Sequence, residues 1–475
     1  MRPPLALLLV MAAGCAVGPS YERPPAPVPV AFKEAAPGWK TAQPLDTATR
    51  GPWWKLYRDA RLDELEALVD VANQNLRVAV AQLAQARAQV GVARADYFPT
   101  LTTAPGIGVT QTRVSQHRAL FIPGAKINYT DIIIPADVSY EVDVWGRVRR
   151  SVEAARADAQ ASEADVAAVR LSLQAELATN YLALRSLDAE AQLLDSSVQA
   201  FEQALALTQN RHRGGVTSAL DVGQAETQLE VTRAQAIDVR VTRAQAEHAI
   251  AVLIGRPPSS FAVAAVTAAL EPPVIPATGV PSDLLERRPD VAAAERRMAS
   301  ANARIGVAKA AYFPALRLDA SGGLQSAMLS NLFSVPSLFF AVGASALGTI
   351  FDGGRRGALT DQARAGYDEV VASYRGTVLT ALQEVEDALA SLRILEQEAT
   401  AQATAVAAAD RTVTLSTNRY KGGVVTYLEV IVAQSAALNA KRTAVDIQRR
   451  RLLASVRLIK ALGGGWRSSR RRVDG

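Results

Sequence analysis

The sequence predicts an α+β chain built as two similar halves, each joining a pair of amphipathic strands to very long helices. Three observations lead there. The chain repeats itself: Val90-Gly91-Val92-Ala93-Arg94-Ala95-Asp96-Tyr97-Phe98-Pro99 returns as Ile305-Gly306-Val307-Ala308-Lys309-Ala310-Ala311-Tyr312-Phe313-Pro314, and Asn210-Arg211-His212-Arg213-Gly214-Gly215-Val216 returns as Asn418-Arg419-Tyr420-Lys421-Gly422-Gly423-Val424, about 210 residues later. Each half carries stretches with a period of two. Each half also carries a proline-free helical stretch, residues 148–213 and 356–421, with apolar positions roughly every three and a half residues, as in coiled coils.

The 475-residue chain opens with Arg2, an apolar run from Leu5 to Ala13, and small residues leading to Cys15, its single cysteine. The run is too short to span a bilayer and reads as a signal peptide over residues 1–14, with lipidation expected at Cys15. Ala12-Ala13-Gly14-Cys15 resembles a bacterial lipobox, although Ala12 stands where Leu is usual; Ala16 in the next position permits export to the outer membrane by analogy. Residues 15–58 form an extended lipidated segment, Pro-rich between Gly18 and Pro29 and closing on Trp53-Trp54. The first repeat is expected over residues 59–255 and opens with one helix from Asp59, its N-cap, to Tyr97, where Phe98-Pro99 ends it.

From Ile134 to Val144 apolar Ile134, Ala136, Val138, Tyr140, Val142 and Val144 alternate with Asp137, Ser139, Glu141 and Asp143, which is a strand with one polar face. Residues 99–114 are its weaker partner. The second half repeats the pair, with Leu316, Leu318 and Ala320 alternating with Arg317, Asp319 and Ser321, then Leu338, Phe340, Val342, Ala344 and Ala346 on one face. Each long helix would run on the order of 100 Å. Gly214-Gly215 and Gly422-Gly423 break the helices, so they mark the tips of long hairpins. A Pro-rich linker with at most one short strand spans 256–282, the second repeat 283–463, and a basic tail with Arg467, Arg470, Arg471 and Arg472 fills 464–475. The tail reads as solvated rather than as a nucleic-acid site, despite a net charge of +6.

Four strands with apolar and polar faces fit transmembrane β-barrel segments, but four cannot close, and open edges in lipid leave backbone groups unpaired. Closure therefore needs other copies. Two chains would make eight strands filled by their own side chains; three make twelve around an aqueous lumen, and the trimer is the expectation. A soluble sheet with one wet face is the alternative.

Taken together, Cys15-Ala16-Val17-Gly18-Pro19, Tyr21, Arg23-Pro24, Trp53-Trp54, Asp59, Leu62-Asp63, Asn75, Tyr97-Phe98-Pro99, Trp145-Gly146-Arg147, Arg287-Arg288-Pro289-Asp290 and Phe351-Asp352-Gly353-Gly354-Arg355 give a resemblance over the whole mature chain. The chain resembles the TolC-like outer-membrane efflux factors, in their lipoprotein (OprM/NodT-type) branch. The resemblance implies a homotrimer with a twelve-stranded β-barrel in the outer membrane, lipid-anchored, and a long periplasmic α-helical barrel. It also implies a tripartite (RND-type) pump with a periplasmic adaptor protein and an inner-membrane transporter, exporting small molecules such as drugs. An outer-membrane channel for type I protein secretion and a structural periplasmic coiled-coil lipoprotein are the other readings, and a spacer has no use for amphipathic strands.

No enzyme chemistry is expected, and no cofactor or metal. His117, His212 and His248 lie apart from Cys or carboxylate partners at ligand spacing, no GxxxxGK[ST] loop occurs, and Met298 and Met328 are far apart in sequence. The resemblance further implies a periplasmic gate at the hairpin tips. There Asp221 and Glu429, each seven residues after the first tip glycine, would form an acidic ring, and Arg419 and Tyr420 would bond across hairpins. Gly214, Gly215, Val216, Gly422, Gly423 and Val424 would meet the adaptor. Val425 and Val432 depart from relatives that carry polar or acidic residues there.

Overall fold

The computed structural model describes residues 16–34, 51–113, 126–266, 268, 270–273 and 287–464. Cys15, the signal peptide, His117 and most of the basic tail lie outside them. The described helices are α1 (Ala60–Ala72), α2 (Gln74–Ala95), α3 (Arg147–Arg213), α4 (Ala219–Leu253), α5 (Pro289–Ala310), α6 (Arg355–Lys421) and α7 (Tyr427–Ala461). The strands are β1 (Thr100–Thr102), β2 (Gly106–Arg113), β3 (Lys126–Val142), β4 (Ala315–Ser326) and β5 (Leu338–Leu347). No helix among the described residues is long and apolar enough to cross a membrane. The chain divides into two compact units, and each draws on both halves of the sequence.

The first unit (Met1–Pro24, Ala84–Ala161, Glu295–Ser373) contains the sheet. All pairings are antiparallel, in the order β1–β3–β4–β5, with β2 also on β3. β1 and β2 share one register on β3 and are the single expected partner strand, interrupted at residues 103–105. The interruption lies across from Pro135, and Pro105 falls within it; neither proline has an N–H to donate. The Thr103 hydroxyl donates to the Pro135 carbonyl at 2.6 Å and bridges the gap. On the other side Pro135 faces Gly323, where a Cβ would stand 2.1 Å from the Ile134 oxygen, so only glycine admits this close approach. β3 begins earlier than the alternation suggested, because backbone pairing with β2 extends past the amphipathic stretch.

The register places Leu101, Val138, Ala320 and Val342 in one row, and Ala136, Gly322 and Phe340 in another, on a single apolar face. Phe340 and Val342 are more exposed there, at 87% and 81%, than any soluble core strand would be. The opposite face is polar: Ser139 donates to Asp319 at 2.8 Å, Ser321 to Asp137, and Gln325 to Asp131.

The turns from strand to helix are built alike in the two halves. Asp143 accepts from the backbone N–H groups of Val148 and Arg149 at the start of α3, and Asp352 from those of Gly354 and Arg356 at the start of α6. Trp145 stacks on Phe313 with centroids 4.6 Å apart and donates to the Pro314 carbonyl at 2.8 Å. The N-terminal residues are pinned at this junction. Val17 N–H donates to the Trp145 carbonyl, Asn302 to the Pro19 carbonyl, and Gly18 packs directly on the Gly306 backbone.

The second unit (Pro25–Leu83, Ser162–Ala294, Tyr374–Gly475) is helical and holds the main apolar core. Trp53, Leu62, Leu65, Leu177, Tyr181, Ile250, Ile254 and Val456 are buried together in it. Asp59 does cap α1, accepting from Arg61 and Leu62 N–H, and it also receives bonds from Tyr181 and Arg185 of α3. The single helix expected from Asp59 to Tyr97 is two. Asn73 adopts an extended backbone; its amide donates to the Leu253 carbonyl at 2.8 Å while its oxygen accepts from Leu76 N–H. A side chain that satisfies both the α4 terminus and the start of α2 makes the break more favourable than continuation. Residues 256–266 of the linker are a one-turn helix and extended chain, with no strand pairing among the described linker residues; Val263 and Val266 N–H donate instead to Glu247 and Asp188.

Glu66 is fully buried in α1, and neither carboxyl oxygen is hydrogen-bonded by any described residue. Burial, aided by the Asp70 and Asp63 charges, pushes its pKa up to about 9.

Candidate gate at the paired hairpin tips

The two helical hairpins, α3–α4 and α6–α7, have arms 67 and 35 residues long in both, and both tips belong to the second unit. Both long arms stop in the same way. Gly215 and Gly423 take φ values of 69° and 72°, the left-handed region that glycine enters without strain. Gly215 N–H donates to the His212 carbonyl and Val216 N–H to Arg211; Gly423 and Val424 repeat this with Tyr420 and Arg419. That is a Schellman termination in each half. Gly214 and Gly422 close the preceding turn through Asn210 and Asn418. Val216 and Val424 project into solvent, as do Leu220 and Leu428 in the next turn.

The acids respond differently to these identical turns. Asp221 completes a capping box: the Ser218 hydroxyl accepts from Asp221 N–H, and the Asp221 carboxylate accepts from Ser218 N–H and from the Thr217 and Ser218 hydroxyls. Partial burial works to raise its pKa, but these bonds, together with one from the Tyr427 backbone, outweigh it and hold the carboxyl below its ordinary range. Thr426, at the corresponding N-cap of α7, makes no side-chain cap bond. Glu429 instead lies 3.5 Å from Arg419, both about half exposed.

Tyr420 is buried at 4% exposure and packs with Tyr427 at 5.2 Å between centroids, beside Ala225 and Val430. Burial and the Tyr420 neighbour raise the Tyr427 hydroxyl to about 12. From the first hairpin, the Arg211 guanidinium sits 4.7 Å above the Tyr420 ring and donates to the Lys421 carbonyl at 3.1 Å. The two tips are thus joined within one chain, through Arg211 on one side and the Asp221–Tyr427 contact on the other. Arg211 was not among the residues singled out by sequence, although it aligns with Arg419 in the repeat. Above the tips Ser435 donates to Gln228 and Arg442 to Glu190, which continues the α4–α7 and α3–α7 contacts. Across residues 210–221 and 418–429, Arg211, Arg213, Arg419 and Lys421 outnumber Asp221 and Glu429. No group of three or more metal-binding side chains occurs among the described residues.

The family model of the outer membrane efflux proteins matches residues 68–256 and 280–464. The chain is 35% identical to outer membrane protein OprJ of Pseudomonas aeruginosa, over 98% of this chain and 96% of that protein. It is 32% identical to the toluene efflux pump outer membrane protein TtgC of Pseudomonas putida, over 97% and 95%. Among solved structures, the outer-membrane channel OprN superposes with a TM-score of 0.86 at 29% identity, covering 95% of this chain and 100% of that one. The open-state MtrE channel of Neisseria gonorrhoeae gives 0.82 at 29%, covering 96% and 99%.

Proposed function

Since this chain belongs to the outer membrane efflux protein family and is an outer-membrane channel of the TolC type, we propose that three copies form the exit duct of a tripartite RND-type pump. The sheet carries this reading. Its two edge strands have no further partner among the described residues, one face is apolar and exposed, and the other is lined by hydrogen-bonded Asp, Ser and Gln side chains. Three such sheets supply twelve strands, which removes every edge and leaves the polar faces around water. The duct passes small molecules without chemistry of its own. An adaptor meets the exposed Val216 and Val424 ends of the hairpins, and an inner-membrane transporter supplies the driving force.

The gate in this reading is the tip assembly. Asp221 and Glu429 provide six carboxylates per trimer, and Arg211 seated on Tyr420 holds the two hairpins of each chain together, whereas Arg419, expected to bond across hairpins, pairs with Glu429 inside its own. Lipidation of Cys15 belongs to the same reading. At about 0.8 kcal/mol per buried CH₂, two or more acyl chains anchor firmly.

Purified protein in planar bilayers tests the whole: a trimer mass and discrete conductance steps are expected. A monodisperse, non-conducting protein would refute the duct.

A further inference from the structure

On top of the duct reading, we infer that the helices of the first unit carry a binding pocket for an uncharged, hydroxyl- or amide-bearing amphiphile of drug size. A cavity of about 530 Å³ opens between α5 and α6, with Asp158 of α3 at its margin. That volume lies within the range of small-molecule sites and is far below what a second helix needs. Its deeper wall is Ser300, Ala301, Ala363, Gly366 and Val370; its rim holds Arg297, Arg304, Gln362 and Glu369.

Ser300 is the independent sign of a ligand. A serine within a helix ordinarily donates to the carbonyl four residues back, as Ser186 does to Leu182 and Ser391 to Asp387. Ser300 is 2% exposed, lines the cavity, and its hydroxyl has no partner among the described residues. Leaving a buried hydroxyl unbonded costs about 1–3 kcal/mol, so an occupant that bonds it is favoured over an apolar one.

The rim argues for the ligand's charge. Arg304 is paired with Asp158 at 2.9 Å, and two arginines face two acids around the opening, so no net field selects an ion. Aliphatic walls with one buried hydroxyl and an amide at the mouth suit an apolar body carrying a neutral polar group. The opposite face of α5 is already taken, since Tyr21 OH donates to the Glu295 carbonyl, Asn302 bonds Pro19, and Gly306 meets Gly18.

Equilibrium dialysis of radiolabelled chloramphenicol, an uncharged hydroxylated amide, against the full-length trimer in nanodiscs tests this, with empty nanodiscs as the blank. Saturable binding of one molecule per chain is expected. A Cβ at Gly366 meets open space, so Gly366→Leu fills the cavity without backbone strain and should weaken binding at least tenfold. Ser300→Ala should weaken it about threefold or more, and it serves if the leucine variant fails to assemble. Gly376→Leu, equally unobstructed but outside the pocket, should leave binding unchanged. Lipid partitioning only, no saturable binding, or binding indifferent to Gly366→Leu and Ser300→Ala overturns the pocket. Single-channel recordings on the same preparations separate the two readings: conductance without binding refutes the pocket alone, whereas absence of conductance refutes the duct.

Discussion

The two hairpin tips end their long helices with the same backbone turn and secure their acids by different means. At the first tip Asp221 is satisfied by its own turn, through Thr217 and Ser218. At the second, Thr426 makes no cap bond, Glu429 leans on Arg419 in solvent, and the stabilising contacts come from a buried tyrosine pair and from Arg211 of the other hairpin. The first tip therefore completes its capping box from its own turn and also offers Asp221 to the Tyr427 backbone, whereas the second leans on the first through both Asp221 and Arg211. Duplication has kept the device that turns the chain, which only glycine and backbone geometry can supply, while side-chain partnerships have diverged around it.

The comparison breaks most readily at Tyr420. Tyr420→Ala removes a buried ring and the seat of Arg211, and by analogy with other aromatic truncations should cost about 3–5 kcal/mol of local stability. Hydrogen exchange should accelerate at the second tip and spread only weakly to the first; equal acceleration at both would abolish the distinction.

Glu66 sharpens it from the other side, as an acid without a hydrogen-bond partner among the described residues. Its folded pKa of about 9 lies above the unfolded value near 4.5, so its contribution is intact below about pH 4.5 and is lost progressively as pH rises towards 9. Glu66→Gln should leave stability unchanged at pH 4 and raise it by on the order of 3 kcal/mol at pH 7. Thermal midpoints across pH measure this, and parallel curves for the two proteins would show Glu66 to be bonded.

Asp221 has the opposite sign. Its folded pKa is depressed, so its contribution is present above the unfolded carboxylate range and is lost as pH falls through the folded value. Asp221→Ala should cost about 1 kcal/mol as a lost cap and remove the acid sensitivity of the first tip. Glu429→Ala should have the least effect, within about 0.2–1 kcal/mol and vanishing in high salt, because the pair with Arg419 is exposed. Selectivity ranks the acids independently of stability. If the two form the proposed ring, the double alanine variant shifts the reversal potential in a salt gradient towards zero cation preference; an unchanged potential removes them from the constriction.

Much of this was legible in the sequence because it is written in spacing. Proline-free runs and Gly-Gly pairs located the four hairpin arms to within a residue or two, and alternation identified the apolar and polar faces of the sheet. What escaped depends on residues distant in sequence. Asn73 breaks a helix because Leu253 offers it a carbonyl, and the first strand divides because Pro135 sits across from residues 103–105. Neither Arg211 over Tyr420 nor the unbonded Ser300 hydroxyl leaves a local signature. The two tip acids were found by their matching positions, and matching positions said nothing of their unlike partners.

The hairpin arms also act as matched rulers. Each long arm is 67 residues and each short arm 35, so the tips in both halves sit at the same number of helical turns from the start of their long arms. Deleting four residues from one long arm alone would retract its tip by about 6 Å and rotate it by roughly 40°, pulling Arg211 off Tyr420. Length can therefore change only in concert across both repeats. In the long arms a substitution acts at one site, but a change of length moves a whole tip against its neighbour.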